Sequence, residues 1–192
     1  MAKTFAEIGP SLRDFIARQR IFFTASAAPG GHVNLSPKDG ASLRVLGPNR
    51  VAWLDCTGSG NETAAHMLAD GRLTVMMCAF EGPPSILRLY GRGRILHRGT
   101  AEYTALLEAA FGAAEPLGAR QIVVLEVERV QTSCGFGVPF FDYGGERPAL
   151  ARWAEAKGEA GLVAYRRAFN AVSIDGLPTG LPEADDVAAG AD

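Results

Sequence analysis

A short polar loop at residues 57–63 carries the clearest chemical signal in the sequence. Two glycines, Gly58 and Gly60, lie between hydroxyl and amide side chains, and the loop separates a strand-like segment from a helix-like segment at residues 62–69. Backbone N–H groups at the start of a helix have no partner inside the helix, and glycines let a ligand approach them closely. The loop therefore predicts a phosphate-binding site. Its polar side chains are Thr57, Ser59, Asn61 and Thr63.

The same loop also permits a purely structural interpretation. Ser59 and Glu62 have the spacing of a capping box, in which Ser59 would cap the helix and Glu62 would fold back to the Ser59 amide. Loops of this kind are common in proteins that bind no phosphate. Taken alone, the loop leaves both interpretations open.

The composition limits the class of protein. The chain has 192 residues, of which 47% are hydrophobic and 21% charged, as expected for one globular domain with appended helices. A net charge of −2 argues against non-specific nucleic-acid binding, which needs a basic face. No apolar run approaches the ~20 residues of a membrane span, and no N-terminal signal pattern is evident. We therefore expect a cytoplasmic protein.

The cysteines and histidines suggest no metal or disulfide chemistry. Cys56, Cys78 and Cys134 are far apart and odd in number, so we expect reduced packing residues. Nothing near Cys134 marks a depressed thiol pKa. The three histidines lack the spacing of zinc ligands, so no structural zinc site is expected.

Short strands separated by tight turns account for most of residues 1–133. Strands are predicted at residues 21–27, 33–35, 42–46, 50–55, 73–80, 86–97 and 121–130. Gly91 and Gly93 fall inside one of them, where glycines indicate bulges or tight bends. This pattern predicts a mainly β (α+β) fold, a small closed antiparallel barrel. It disfavours a Rossmann domain, which needs repeated βαβ units.

Helical spacing of apolar residues predicts peripheral helices. They fall at residues 4–19 with an interruption at Gly9 and Pro10, at 62–69, at 101–111 with Thr100 as cap, and at 148–157 and 159–169 with a break at Gly158. We divide the chain into a barrel domain with an N-terminal helix (1–133), a C-terminal loop and helices packing on the barrel or on a dimer partner (134–180), and a flexible acidic tail (181–192).

Together these segments resemble the pyridoxamine-phosphate-oxidase-like, FMN-binding split-barrel superfamily, and more closely its poorly characterised members than the oxidase itself. The segments that carry the resemblance are residues 36–38, 57–63, 73–80, 86–93, 133–139 and 173–178. The resemblance implies an antiparallel split barrel of the six-stranded type with peripheral helices. It also implies a homodimer that holds FMN at the subunit interface.

The resemblance further implies a set of cofactor-binding residues. Thr57, Ser59, Asn61 and Thr63 fall in the family's phosphate-binding loop. Lys38 and Arg88 would be charged partners of the phosphate, which favours Lys and Arg donors. Ser36 and Asp55 would border the flavin or its ribityl chain. Trp153 could lie against the flavin ring, although an aromatic residue at helical spacing is more often part of the core.

Two departures from the family pattern bear on activity. Oxidases of the family carry an Arg/Lys pair where this chain has Glu62 and Thr63. The Arg-x-His motif that grips pyridoxamine phosphate near the C-terminus is absent, so oxidation of vitamin B6 is not expected. The resemblance implies an FMN-dependent oxidoreductase acting on an unknown small substrate, with NADH or NADPH as a possible electron donor. The alternatives are a non-catalytic flavin-binding protein for storage or sensing, and a protein that binds a deazaflavin or haem in the same cleft.

Overall fold

The computed structural model describes residues 2–112 and 115–182. Eight strands in these residues form one antiparallel sheet. They are β1 (Lys3–Phe5), β2 (Ile21–Ser26), β3 (Asn34–Asp39), β4 (Leu43–Gly47), β5 (Arg50–Cys56), β6 (Arg72–Cys78), β7 (Ile86–His97) and β8 (Ala119–Ser133). The helices are α1 (Pro10–Arg18), α2 (Glu62–Ala69), α3 (Ala101–Leu106), which continues as a π-helical turn over Leu107–Phe111, and α4 (Ala149–Phe169). A 3-10 turn, Gly40–Ser42, joins β3 to β4.

The sheet order explains how the barrel is formed and where it is split. The strands run β3-β2-β6-β7-β8-β5-β4, and β1 pairs with β8 off this path. The long strand β8 pairs with β7 over most of its length and with β5 over its first half. β3 and β5 lie near opposite ends of this order, yet Lys38 of β3 contacts Asp55 of β5 at 2.9 Å. The sheet is therefore curled into a split barrel with its split between β3 and β5, which confirms the predicted fold class.

The sheet has eight strands rather than six. One reason is that residues 3–5 form a strand and not the helix that their apolar spacing predicts. Lys3–Phe5 pairs with the end of β8, and the helix begins only at Pro10. Proline is well tolerated in the first turn of a helix but not in its interior, which accounts for this boundary. The other helix predictions are confirmed. α2 spans Glu62–Ala69, and the Thr100 side chain accepts a hydrogen bond from the Tyr103 amide at the start of α3.

Two glycines in β7 permit close contacts that hold the barrel and α2 in place. At Gly91 an added Cβ would lie 1.9 Å from the Glu126 carbonyl oxygen, and the register shifts between Tyr90 and Gly91, so the predicted irregularity is confirmed there. At Gly93 a Cβ would lie 2.3 Å from the Met67 sulfur. Because Gly93 has no side chain, α2 packs directly on β7.

The core fills the barrel interior. Phe22 and Trp53 are fully buried and pack edge to face, with ring centroids 5.7 Å apart. Burial of such aromatic side chains is a major source of fold stability, at about 25 cal/mol per Å² of apolar surface. This core fixes β2 and β5, the neighbours of the split.

α4 contains the predicted break. Gly158 has φ 63, a conformation that glycine adopts readily, and it separates two helical segments. Trp153 packs edge-on against Tyr165, with ring centroids 5.0 Å apart, across this kink. The end of α4 returns to the barrel beside residues 57–61, where Asn170 is fully buried. Most of the predicted acidic tail lies outside the described residues. No helix in residues 2–112 and 115–182 is long and apolar enough to cross a membrane.

Candidate cofactor site

A cleft of about 470 Å³ lies at the split of the barrel. Its volume falls in the range of small-molecule sites, roughly 300–1,000 Å³. Its walls come from β3, the 3-10 turn, β5, the loop before α2, the start of β8 and the start of α4. Six of the eight predicted binding residues line it: Ser36, Lys38, Asp55, Ser59, Asn61 and Thr63.

Asp55 is the ionic centre of the cleft. Its side chain, in a residue only 5% exposed, accepts hydrogen bonds from Lys38 Nζ, Arg120 Nε and Gln121 Nε2, each at 2.9 Å. Burial alone would raise the pKa of Asp55, but the charges of Arg120 and Lys38 outweigh it and lower the pKa to about 2. The carboxylate is therefore ionised at neutral pH, and it joins β3, β5 and β8 rather than standing free to meet a ligand.

The loop at residues 57–61 is held through its carbonyl groups by Asn170, which lies outside the cleft wall, and by Arg120, which is part of it. The Gly58 carbonyl accepts a hydrogen bond from Asn170 Nδ2 at 3.0 Å, and the Gly60 carbonyl accepts one from Arg120 Nη1 at 2.9 Å. By contrast, the backbone N–H groups of residues 58–61 have no hydrogen-bond partner in the part of the chain that the structure describes. Four amide donors of the cleft-lining loop are thus without a partner among the described residues.

The donors around the cleft fit a phosphate monoester. Besides the loop amides they include the Lys38 ammonium and Asn61 Nδ2, which is buried and without a partner in the described residues. Such an orphaned buried donor is costly unless something binds it. The acidic side chains Asp39, Asp55 and Glu62 also line the cleft. Asp55 is neutralised by its cations, and Glu62 is bound to the Ile174 amide.

Asn34 orients two hydroxyl groups in the wall of the cleft. Ser36 Oγ donates to Asn34 Oδ1 at 3.1 Å, while Asn34 Nδ2 donates to Thr63 Oγ1 at 3.2 Å. A hydroxyl has one proton to give. The Ser36 hydroxyl proton is therefore already used in a hydrogen bond, and Ser36 offers a ligand only its lone pairs. The Thr63 hydroxyl accepts from Asn34 and can still donate its proton to a ligand. The two predicted hydroxyl ligands are consequently not equivalent.

The capping-box prediction for the loop is wrong. The N-cap of α2 is Asn61, with no side-chain cap hydrogen bond, and Ser59 lies two residues further out. Glu62 Oε2 instead accepts a hydrogen bond from the Ile174 backbone amide at 3.1 Å. A tertiary partner 112 residues away has replaced the local one. Of the two interpretations of the loop, the purely structural one loses its main support.

Two predicted ligands lie outside this cleft. Thr57 is 1% exposed and its hydroxyl donates to the Gly118 carbonyl at 3.0 Å, so it braces the loop. Arg88, on β7, donates to Ser133 Oγ of β8 at 3.1 Å. Within the described chain it is not among the residues that line the cleft. A role for Arg88 in binding stays a prediction.

Three buried polar residues of the site were missed by sequence reasoning. They are Arg120, Gln121 and Asn170. The sequence pattern predicts Gln121 as the first residue of the strand at residues 121–130, with Arg120 directly before that strand. In the structure Gln121 pairs in register with Asp55, and the register shifts directly after this pair, so that Arg120 is the extra residue of a β-bulge and reaches the same carboxylate. A cation directly before an apolar strand was the available signal. Asn170 gave none, because its position depends on how α4 folds back.

Neither cysteine near these elements behaves as a catalytic thiol in the cleft. Burial, with a further contribution from the Asp55 carboxylate, raises the pKa of the Cys56 thiol to about 11, so it stays protonated at neutral pH. Cys134 is exposed, contrary to the expected packing role. Its pKa is lowered, chiefly because the Phe136 amide hydrogen-bonds to the sulfur, which corrects the expectation of an unperturbed thiol.

An antiparallel sheet curled into a split barrel, with a polar cleft at the split, places the chain in the class of split β-barrels. The family model described as pyridoxamine 5'-phosphate oxidase matches residues 8–134. A pyridoxamine 5'-phosphate oxidase family protein of Aspergillus flavus, ustO, is 37% identical over 190 residues, covering 91% of this chain and 76% of that protein. The chain therefore belongs to the pyridoxamine 5'-phosphate oxidase family.

Solved structures agree on the fold. HupZ of Group A Streptococcus matches with a TM-score of 0.52 at 21% identity, over 64% of this chain and 91% of that one. A candidate pyridoxamine 5'-phosphate oxidase from Lactobacillus delbrueckii matches with a TM-score of 0.51 at 16% identity, over 66% of this chain and 94% of that one. At these identities the likeness extends to the architecture alone.

Proposed function

We propose that this chain is an FMN-dependent oxidoreductase that acts on a small organic substrate. The observation that carries the proposal is the cleft at the barrel split, where unpartnered backbone amides, the Asn61 amide group and Lys38 converge. Family membership supports a flavin as the cofactor, and these donors favour one with a phosphate group over riboflavin.

The residues of the chain would bind and orient the cofactor rather than react. Bound FMN would supply hydride or electron transfer. The amides of residues 58–61 and the Thr63 hydroxyl would hold the phosphate, and the Lys38 ammonium would balance part of its charge. Ser36, which presents only lone pairs, would accept a hydrogen bond from a ribityl hydroxyl. No side chain needs to act as a nucleophile, in keeping with the protonated Cys56 thiol.

We further propose that the active form is a cytoplasmic homodimer. Arg88 does not line the cleft of its own chain, and a second copy of the chain would offer it a way to reach the cofactor. Large apolar side chains stand exposed on the segment after β8, among them Phe136 at 82% and Phe140 at 79%. Burial of such side chains is typical of an interface between subunits. Light scattering on the purified protein tests this, and a monomer at all concentrations would contradict it.

The decisive experiment is identification of the bound ligand followed by a reduction assay. We expect purified protein to be yellow and to release FMN on denaturation, identified by mass spectrometry. Addition of NADH or NADPH should bleach the flavin, and colour should return in air. A colourless protein that FMN titration leaves unchanged defeats the proposal. Tight FMN binding without reduction by a broad panel of donors favours the alternative, a flavin-storage or sensing protein.

A further inference from the structure

The end of α4 places a buried amide directly behind the loop at residues 57–61. Asn170 has no exposed surface and is not part of the cleft wall. Its Nδ2 donates to the Gly58 carbonyl at 3.0 Å, and its Oδ1 accepts from Arg120 Nη1 at 2.7 Å. Both halves of the amide are therefore used, one on the loop and one on the guanidinium that pairs with Asp55.

These two bonds control which way the loop presents its backbone. In a planar trans peptide the carbonyl of one residue and the N–H of the next point in opposite directions. The structure holds no cis peptide in its described residues. Because Asn170 pulls the Gly58 carbonyl toward the interior, the Ser59 N–H is turned to the other side of the loop. Gly58 and Ser59 line the cleft there, and the Ser59 N–H has no partner in the described part of the chain.

Arg120, which lines the cleft, also binds a carbonyl group of the loop and is itself held by Asn170. Its Nη1 donates to the Gly60 carbonyl at 2.9 Å as well as to Asn170. The buried Asn61 Nδ2, which has no partner among the described residues, independently indicates that a hydrogen-bond acceptor belongs in this cleft.

We propose that Asn170 is a positioning residue that presents the backbone amides of this loop to a phosphate group. This inference rests on the proposed function, since FMN is the phosphate ligand considered. The inference goes beyond that function in two respects. It assigns the phosphate to the side of the loop that the Ser59 N–H faces, and it makes Asn170, at the end of α4, responsible for turning that N–H toward the phosphate. Without Asn170 the Gly58–Ser59 peptide is free to turn over, and its carbonyl oxygen would then face the anion.

The test compares two flavins that differ only in the phosphate. FMN and riboflavin are titrated into the wild-type protein, Asn170→Ala and the matched control Thr179→Val. Thr179 is 1% exposed and donates to the Asn170 backbone carbonyl at 2.7 Å, so this control removes a buried hydrogen bond at the same junction but leaves the Asn170 side chain in place. If Asn170 contributed only to folding, its replacement would weaken the binding of FMN and of riboflavin equally.

We expect wild type and Thr179→Val to prefer FMN over riboflavin, and Asn170→Ala to lose about tenfold or more of that preference, the scale of one hydrogen bond to a charged group. If Asn170→Ala does not fold, Asn170→Asp serves instead, because a carboxylate still accepts from Arg120 but cannot donate to Gly58.

Each other outcome has a distinct meaning. A wild-type protein that binds FMN no more tightly than riboflavin overturns the inference and leaves flavin binding standing. The same holds if Asn170→Ala or Asn170→Asp keeps the full preference. A wild-type protein that binds neither flavin overturns the proposed function and this inference with it.

Discussion

Two aspartates, Asp55 and Asp175, each bind residues that are distant in the chain. The partners of Asp55 are largely buried, whereas the partner of Asp175 is exposed. Asp55 is buried and is bound by donors from β3 and β8. Asp175, in the segment after α4, hydrogen-bonds among the described residues to His32 alone, through the ring Nδ1 at 2.6 Å and the backbone amide at 2.8 Å. The His32 side chain is 79% exposed. The comparison teaches that the number and burial of the donors, rather than the length of a hydrogen bond, decide what a carboxylate contributes.

Replacement of the buried carboxylate should have the largest effect. Asp55→Asn is expected to lower the free energy of unfolding by about 3–5 kcal/mol, because Arg120 and Lys38 would face each other without a counter-charge. Urea unfolding followed by tryptophan fluorescence measures the change, since Trp53 is 1% exposed in the core. A loss below about 1 kcal/mol, the scale of surface pairs, would show that burial does not distinguish Asp55.

The same carboxylate should make the protein acid-sensitive. The pKa of Asp55 is about 2 in the folded protein, below its ordinary value near 3.8. A lowered folded pKa gives stability that is present above pH ~4 and is lost as the pH falls from ~4 to ~2, in all about 2–3 kcal/mol. Urea midpoints of wild type and Asp55→Asn should therefore converge over this window. If the two curves stay parallel, Asp55 does not titrate as its ion pairs require.

Lys38, the more exposed of the two cations that bind Asp55, should matter more for FMN binding than for the stability of the fold. Lys38→Ala is expected to weaken FMN binding by about 1–3 kcal/mol, the scale of a lost charge-assisted hydrogen bond. Asp55 would still be held by Arg120 and Gln121, so unfolding should change less than in Asp55→Asn.

Lys157→Ala is the charge-matched control for this change. Lys157 lies over the Trp153 ring on α4 at 5.2 Å and is not part of the cleft wall. Both variants remove one positive charge, so equal FMN affinities for the two would remove Lys38 from the site.

The sequence predicted the elements well, because their signals are local. Apolar alternation located the strands, Gly91 indicated the irregularity in β7, and Gly158 indicated the break in α4. The capping box failed because Glu62 found a backbone partner beyond α4, which no local pattern contains.

The site residues that the sequence did not predict are those that long-range pairing brings into position. Arg120 meets Asp55 across 65 residues through the β5–β8 register. Asn170 meets Gly58 across 112 residues through the fold of α4. Ser36, Lys38 and Asn61, which line the cleft, could be predicted because they lie in segments with a recognisable family pattern. Arg120, Gln121 and Asn170, which hold those segments in place, carry no such pattern.

Replacement of Asp175, the carboxylate that pairs with the exposed His32, should have the smallest effect. The hydrogen bond to Asp175 raises the pKa of His32 and lowers the pKa of Asp175. A raised histidine pKa stabilises the fold only below the pH at which His32 titrates, and solvent around the exposed His32 ring screens the pair. Asp175→Asn should therefore return the His32 pKa toward its ordinary value, measured by NMR titration, while the urea midpoint stays unchanged. A fall in the midpoint as large as that of Asp55→Asn would mean that the C-terminal segment is part of the cooperative core, and that the exposure of the partner is the wrong criterion for separating the two carboxylates.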